Sequence, residues 1–598
     1  MSYETFYEGL GSTFEYDSNK RYGGDSLFQG YNVLFSRIGA PTSPQTANVL
    51  SEVTARMNEG IRTVELQPLS QDLFESIPKQ HFKEVNRLMK LTGGEATLHA
   101  PLIDPAGFNN QNGAWSADDR QQAENKLKDI IDLAHEMNPE GNVPITLHAT
   151  GGMPAGTLRK GEVREGDMFF VIEQDSGQLH TLKRGWGYDP KTKKEILLNP
   201  RDKIEETNKR IIDDNLATFI QYTEKAKEFS REVLPAVAPF IQDYRSGRLK
   251  EEDLTLNQRQ ALNALGSAGP YLNKAREDLL ELTAKTKKAI PEDQQKIMGP
   301  KIDGIRRQIF ELGHSRQEEV DPLSASIRLS QIASDFKRIT DQTTPQFIVP
   351  LNQFALDKTK ETIAQAALHS YKKFGNSAPI ISLENFFAGT LFSSGKDMKE
   401  LVQESRKEFV KLAEKQGISR EKAEEAAAKG IGATWDVGHL NMMRKHGFNE
   451  EDIIKETKTV APFIKHVHLT DNFGYGDTHL PPGMGNVPFK KIFEELEKAG
   501  FSGKEIVEAG GFVANKFGSP TPYVLEALGS PIYASDMQGT WNQAKMNYGM
   551  PGNYASGYGL MLPTQHFSMY GSGFAGLPQE LGGQVPGSGQ RFSGTSMD

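Results

Sequence analysis

Short apolar runs alternate with longer stretches whose apolar residues stand three and four apart. Eight of the short runs read as strands: residues 32–39, 61–68, 96–102, 144–150, 379–387, 432–440, 464–471 and 504–512. The stretches between them have the period of amphipathic helices. Strand and helix alternating in this way predict an α/β fold with a parallel sheet, and eight units predict that the sheet closes into a (β/α)8 barrel. The pattern breaks once. Between the fourth and fifth strands, residues 157–350 are far too long for an ordinary connection and read as an insertion. Its first part, to about residue 200, alternates like a small β element with a hairpin turn at Asp175-Ser176-Gly177. From residue 201 to about 340 it turns helical.

The organisation expected is therefore an N-terminal extension (1–30), a first barrel part (31–156), the mainly helical insertion (157–350), a second barrel part (351–534) and a tail (535–598). The tail is rich in Gly, Ser and Pro, has no helical or strand period, and reads as disordered.

Composition narrows the chemistry. The chain has 598 residues and no cysteine, so disulfides and thiolate metal sites are excluded, and His, Asp and Glu are left as ligands. A net charge of −9 argues against a generally cationic surface for nucleic acid. No basic segment leads into an apolar core at the N-terminus and no run reaches membrane-spanning length, so a cytoplasmic protein with no membrane partner is expected.

A barrel places its chemistry at the C-terminal ends of its strands. There the candidate ligands fall: His99 at the third strand, His148 at the fourth, Glu384 at the fifth, Asp436 and His439 at the sixth, His468 at the seventh with Asp477 and His479 in the loop after it, and Glu508 at the eighth. In KHVHL the side chains of His466 and His468 share a face. Asp477 and His479, two apart in an extended segment, would do the same. Imidazoles and carboxylates converging in this way are the donor set that zinc or a similar divalent ion takes. His135, His180, His314, His369, His446 and His566 lack this placement and read as surface or packing residues; His466 is left open.

The segments LHAP, LHATGG, LEN, WDVGH, HVHLTDN, GDTHLPPGMG and VEAGG, which carry these nine residues, resemble the superfamily of xylose-isomerase-like TIM barrels that also contains endonuclease IV. The resemblance covers roughly residues 30–155 and 350–534 and implies one of two activities. The endonuclease IV type implies a phosphoester hydrolase with up to three zinc ions, using all nine residues as ligands, with Glu384 bridging two ions and abasic DNA as one possible substrate class. The alternative is a sugar or sugar-phosphate isomerase or epimerase with one manganese or magnesium ion on Glu384, Asp436, His468 and Glu508. There, Glu384 and Glu508 would serve as the acid–base pair.

Overall fold

The computed structural model describes residues 38–109, 113–189, 193–313 and 322–510, together with 520, 521, 523 and 524. The N-terminal extension, the tail, His314 and His566 lie outside these residues. The described chain divides into two compact units, one containing residues 38–162 and 355–524 and the other Val163–Phe354.

The first unit is a closed barrel of eight parallel strands that pair in chain order: β1 (Ile38–Pro41), β2 (Thr63–Leu66), β3 (Glu95–His99), β4 (Pro144–His148), β5 (Ile380–Glu384), β6 (Ile431–Asp436), β7 (Ile464–His468) and β8 (Lys504–Ile506). From β2 to β8 the strands are shorter than the apolar runs that announced them, and most of the first run, 32–37, lies outside the described residues. At the sixth, the run at 432–440 ends as strand at Asp436, whose carboxylate caps a one-turn helix, Val437–Asn441. His439 therefore stands on a helix rather than on a strand.

Alternation along each strand sorts the side chains. Leu98, Leu147, Leu383, Trp435 and Val467 are buried toward the helical layer. Trp435 also donates from Nε1 to Thr457 of the helix Glu450–Val460, at 3.1 Å. The opposite face lines the barrel interior and is unusually polar. Thr97, Thr146, Ser382 and Thr434 each lie two residues before a ligand-type residue on their strand, so they form a layer beneath it. Thr434 joins Thr146 at 3.0 Å and donates to Ser382 at 2.8 Å, which satisfies hydroxyls that burial would otherwise penalise. At β1 only glycine fits: a Cβ on Gly39 would lie 2.5 Å from Ile506 Cδ1 and 2.6 Å from the Thr63 carbonyl oxygen.

The surrounding helices follow from caps and stripes. Ser116, Ser394 and Asn449 accept first-turn N–H groups of the helices Ala117–Met137, Gly395–Lys415 and Glu450–Val460. Phe489, Ile492, Phe493 and Leu496 give the helix Phe489–Lys498 a buried stripe at helical spacing.

The second unit has a hairpin, Met168–Glu173 with Leu179–Lys183, extended by the antiparallel strand Ile348–Pro350. Gly177 in its turn has φ +70°. A 38-residue helix, Pro200–Val237, capped by Asn199, packs against Leu256–Gly266, Gly269–Ala289 and Pro322–Asp341, and Glu292–Gly313 packs against the last two. Its core contains Phe219, Leu279, Ile309, Leu329 and Phe336. No helix among the described residues is long and apolar enough to cross a membrane.

Candidate metal centre

All nine ligand-type residues converge at the C-terminal mouth of the barrel, in contiguous groups. His99, His148 and Glu384 form one, and Glu384, Asp436, His468 and Glu508 a second; His439, Asp477 and His479 form a third. Within each group one donor atom per residue lies within 4.8 Å of the others. Glu384 belongs to two groups. Its Oε2 is 2.9 Å from His148 Nε2 and 3.2 Å from His99 Nε2, and its Oε1 is 2.7 Å from His468 Nδ1. His439 Nε2 and His479 Nε2 approach the same Asp477 oxygen at 3.3 and 2.9 Å. That third group is reached differently from the extended geometry expected: His479 has φ +46°, and its turn brings the ring back onto Asp477.

Several donors are oriented by bonds from their other atoms. His99 Nδ1 bonds the carbonyl of Ala100 at 2.8 Å and His439 Nδ1 that of Asn385 at 2.9 Å, which leaves each Nε2 facing the cluster. Asp436 Oδ1 accepts from Thr470 Oγ1 and from the His439 N–H, both at 2.7 Å. Gln67 donates to Glu508 Oε1 at 2.6 Å. The Asn385 amide clasps the Asp436 backbone in both directions, at 2.8 and 3.0 Å.

What these partners leave over tests whether the site suits a cation. Glu384 Oε2, Asp436 Oδ2 and His148 Nδ1 are buried without an aligned hydrogen-bond partner. Two buried carboxylate oxygens so placed amid imidazole nitrogens fit a divalent ion, because an unpaired buried charge is otherwise expensive. The field agrees. Burial would push the His99 imidazolium down, yet Glu384 raises it to about 9, and Asp477 does the same for His479. His439 and His468 are held well above their ordinary value, against burial, by Asp436 and Asp477 for the first and by Glu508 and Glu384 for the second. Burial raises the Asp436 carboxyl, Glu384 and Glu508 adding to it. Burial, with the neighbouring His99 and His439, outweighs Glu384 and takes His148 the other way, keeping it neutral and able to donate a lone pair.

Asp477 and His479 are about a quarter exposed, whereas Glu384, Asp436 and His468 are closed off, so access is from the third group. A cavity of about 480 Å³ adjoins His148, walled by Phe386, Thr150, Gln71 and one face of the helix Ala117–Met137, including Lys126.

Over residues 418–518 the chain matches the family described as xylose isomerase-like TIM barrel. An uncharacterized protein of Methanocaldococcus jannaschii is 35% identical over 81 residues, which make up 14% of this chain and 26% of that protein, about a quarter of its length. A structure of a D-tagatose 3-epimerase-like protein aligns at 13% identity and TM-score 0.35, covering 86% of this chain and 99% of the other. That of D-psicose 3-epimerase with D-tagatose, from Clostridium cellulolyticum H10, aligns at 8% identity and TM-score 0.36, covering 83% and 98%.

Of the histidines set aside, His135 stacks on Phe374 and bonds Ser377, and His369 bonds Asp132, both away from the mouth of the barrel. His466 is drawn in: its Nε2 lies 2.9 Å from Glu65, deep inside. Glu65, Gln67, Asn385, Thr470 and Asp471 support the site although the strand-end reading passed over them. A signal for some existed in the repeated spacing Thr-x-His, Thr-x-His, Ser-x-Glu and Thr-x-Asp, because a period of two puts a support directly under each ligand. Thr63-x-Glu65-x-Gln67 continues it on the second strand.

Proposed function

We propose that this chain is a divalent-metal-dependent enzyme that hydrolyses phosphoesters, with zinc held in up to three sites by the three donor groups. The observation that carries the reading is the third group, His439, Asp477 and His479, lying beside a complete four-donor set with Glu384 shared to a further pair of histidines. Four carboxylates and five histidines exceed what one ion can use. Ions so bound would lower the pKa of a water and offset phosphate charge. The chain's own part is to orient donors through Asn385, Thr470 and Gln67 and to admit substrate past Asp477 and His479. Abasic-site DNA and sugar phosphates are the two substrate classes to assay.

A second reading, a sugar or sugar-phosphate isomerase or epimerase with a single manganese or magnesium ion, has its own support. Glu384, Asp436, His468 and Glu508 form a self-sufficient set, all buried. The matched family is also described by a sugar isomerase. Glu384 and Glu508 would then move protons on substrate carbon, with His99, His148, His439, Asp477 and His479 contacting substrate.

Elemental analysis of protein purified without chelator separates the two. Two or three zinc ions per chain, falling in His148→Ala and in His439→Ala, with phosphoesterase activity lost alongside, is the result expected. One ion unaffected by either substitution, with turnover of a ketose or its phosphate, would overturn it in favour of the second reading.

A further inference from the structure

Beneath the donor groups lies a second buried cluster that neither functional reading employs. Glu65 sits at the end of β2 with no exposed surface. Its Oε2 accepts from Thr97 Oγ1 at 2.8 Å and pairs with His466 Nε2 at 2.9 Å. Its Oε1 has no aligned partner and stands 3.1 Å from His468 Nε2, which is likewise unpartnered. Across the same ring, His468 Nδ1 is 2.7 Å from Glu384 Oε1 and 3.4 Å from Glu508 Oε2. One imidazole is thus held between a carboxylate below and two carboxylates above.

We propose that Glu65, backed by His466 and Thr97, is a positioning residue that decides which nitrogen of His468 serves as ligand. A neutral imidazole has one N–H and one lone pair. With the N–H on Nε2 the proton lies on the side of Glu65 Oε1, 3.1 Å away and short of an aligned bond, and the lone pair on Nδ1 faces the side where Glu384 and Glu508 converge. The opposite tautomer would aim a lone pair at the Glu65 carboxylate and an N–H into the place of the ion. Thr97 and His466 hold Glu65 by its other oxygen, so the carboxylate cannot turn away without leaving buried donors unpaired. The same three residues could be imagined as a further ion site, since Glu65, His466 and His468 offer donors close together. That site would need lone pairs on both His468 nitrogens at once, an imidazolate, and would give up the bonds from Thr97 and His466. Positioning is the arrangement that keeps every one of them. The inference rests on an ion at His468, which both functional readings share, and on neither reaction.

The test uses the full chain with 15N-labelled histidine and 113Cd2+ as a spin-active ion. In multiple-bond NMR spectra, His468 is expected to couple to cadmium through Nδ1 while Nε2 keeps its proton. In competition with a chromogenic chelator, Glu65→Gln is expected to weaken the ion bound by His468 by roughly 10- to 100-fold. Glu65→Asp should recover part of that loss. The third donor group should keep its affinity, and the melting temperature of the ion-free variant should stay close to that of the wild type. Coupling through Nε2 in the wild type, coupling through both nitrogens, or unchanged affinity in Glu65→Gln would overturn the inference alone. Absence of any cadmium at His468 would overturn it together with both functional readings.

Discussion

Asp471 is the most informative single substitution. It follows β7, is 1% exposed, and accepts four backbone N–H groups: Oδ2 from Gly483 (2.9 Å) and Gly485 (2.8 Å), Oδ1 from Val487 (3.1 Å) and Asn472 (2.9 Å). Those bonds fold the segment after Asp477 and His479 back onto the strand end, next to the Asp471–Leu480 backbone bridge. In Asp471→Asn one oxygen keeps its two donors, and an amide NH2 faces the other two. Burial raises the Asp471 carboxyl to about 7, so above that pH, where it is charged, two charge-assisted bonds at about 1.5 to 3 kcal/mol each are lost and about 3 to 6 kcal/mol is removed from the loop before it relaxes. The backbone bridge and the barrel remain. Only the third donor group should therefore loosen. Elemental analysis should show about one ion fewer per chain, hydrogen exchange should speed up across residues 477–487, and phosphoester hydrolysis should fall at least tenfold. Full ion content with unchanged exchange in that segment would refute the claim that these four bonds place His479 and Asp477.

Glu384→Gln should cost ions from both groups that share it and abolish turnover, read by elemental analysis and a phosphoesterase assay; loss of one ion only would contradict the bridging role. Asn385→Ala frees the Asp436 backbone, and a drop of roughly tenfold in affinity at that ligand is expected from chelator competition. Gly485→Ala would drive a Cβ into Asp471 and the Asn472 carbonyl, so it should reproduce the Asp471→Asn phenotype in the same exchange measurement. The pH dependence of stability should reverse with metal. In the ion-free protein His99 and His479 have folded values near 9, above the ordinary 6.5, so the stability they contribute is complete below pH 6.5 and lost as pH rises through 9. For His99 this is at most about 3 kcal/mol. Loading with zinc should invert the slope over the same window, because protons then compete with the ion for the same nitrogens. Parallel melting curves with and without zinc would count against the site.

The alternation of strand and helix, the interruption between the fourth and fifth strands, and the nine ligand-type residues were legible because each depends on a local period or on residue type at a strand end. In KHVHL a period of two is enough to put His466 and His468 on one face. It is not enough to say which is a ligand, since that depends on what reaches them from other strands. Glu65 from β2 lies below His468 and Glu384 from β5 above it, about 400 and 84 residues away in sequence. Likewise the sequence places Asp477 and His479 in a loop, but the left-handed turn at His479 and the four bonds to Asp471 decide that they meet His439. Sequence by itself determined which ligand-type residues stand at the mouth of the barrel. The closed barrel decided how the donors are shared, because Glu384 on β5 can serve two groups only where β3, β4 and β7 bring His99, His148 and His468 within about 3 Å of it.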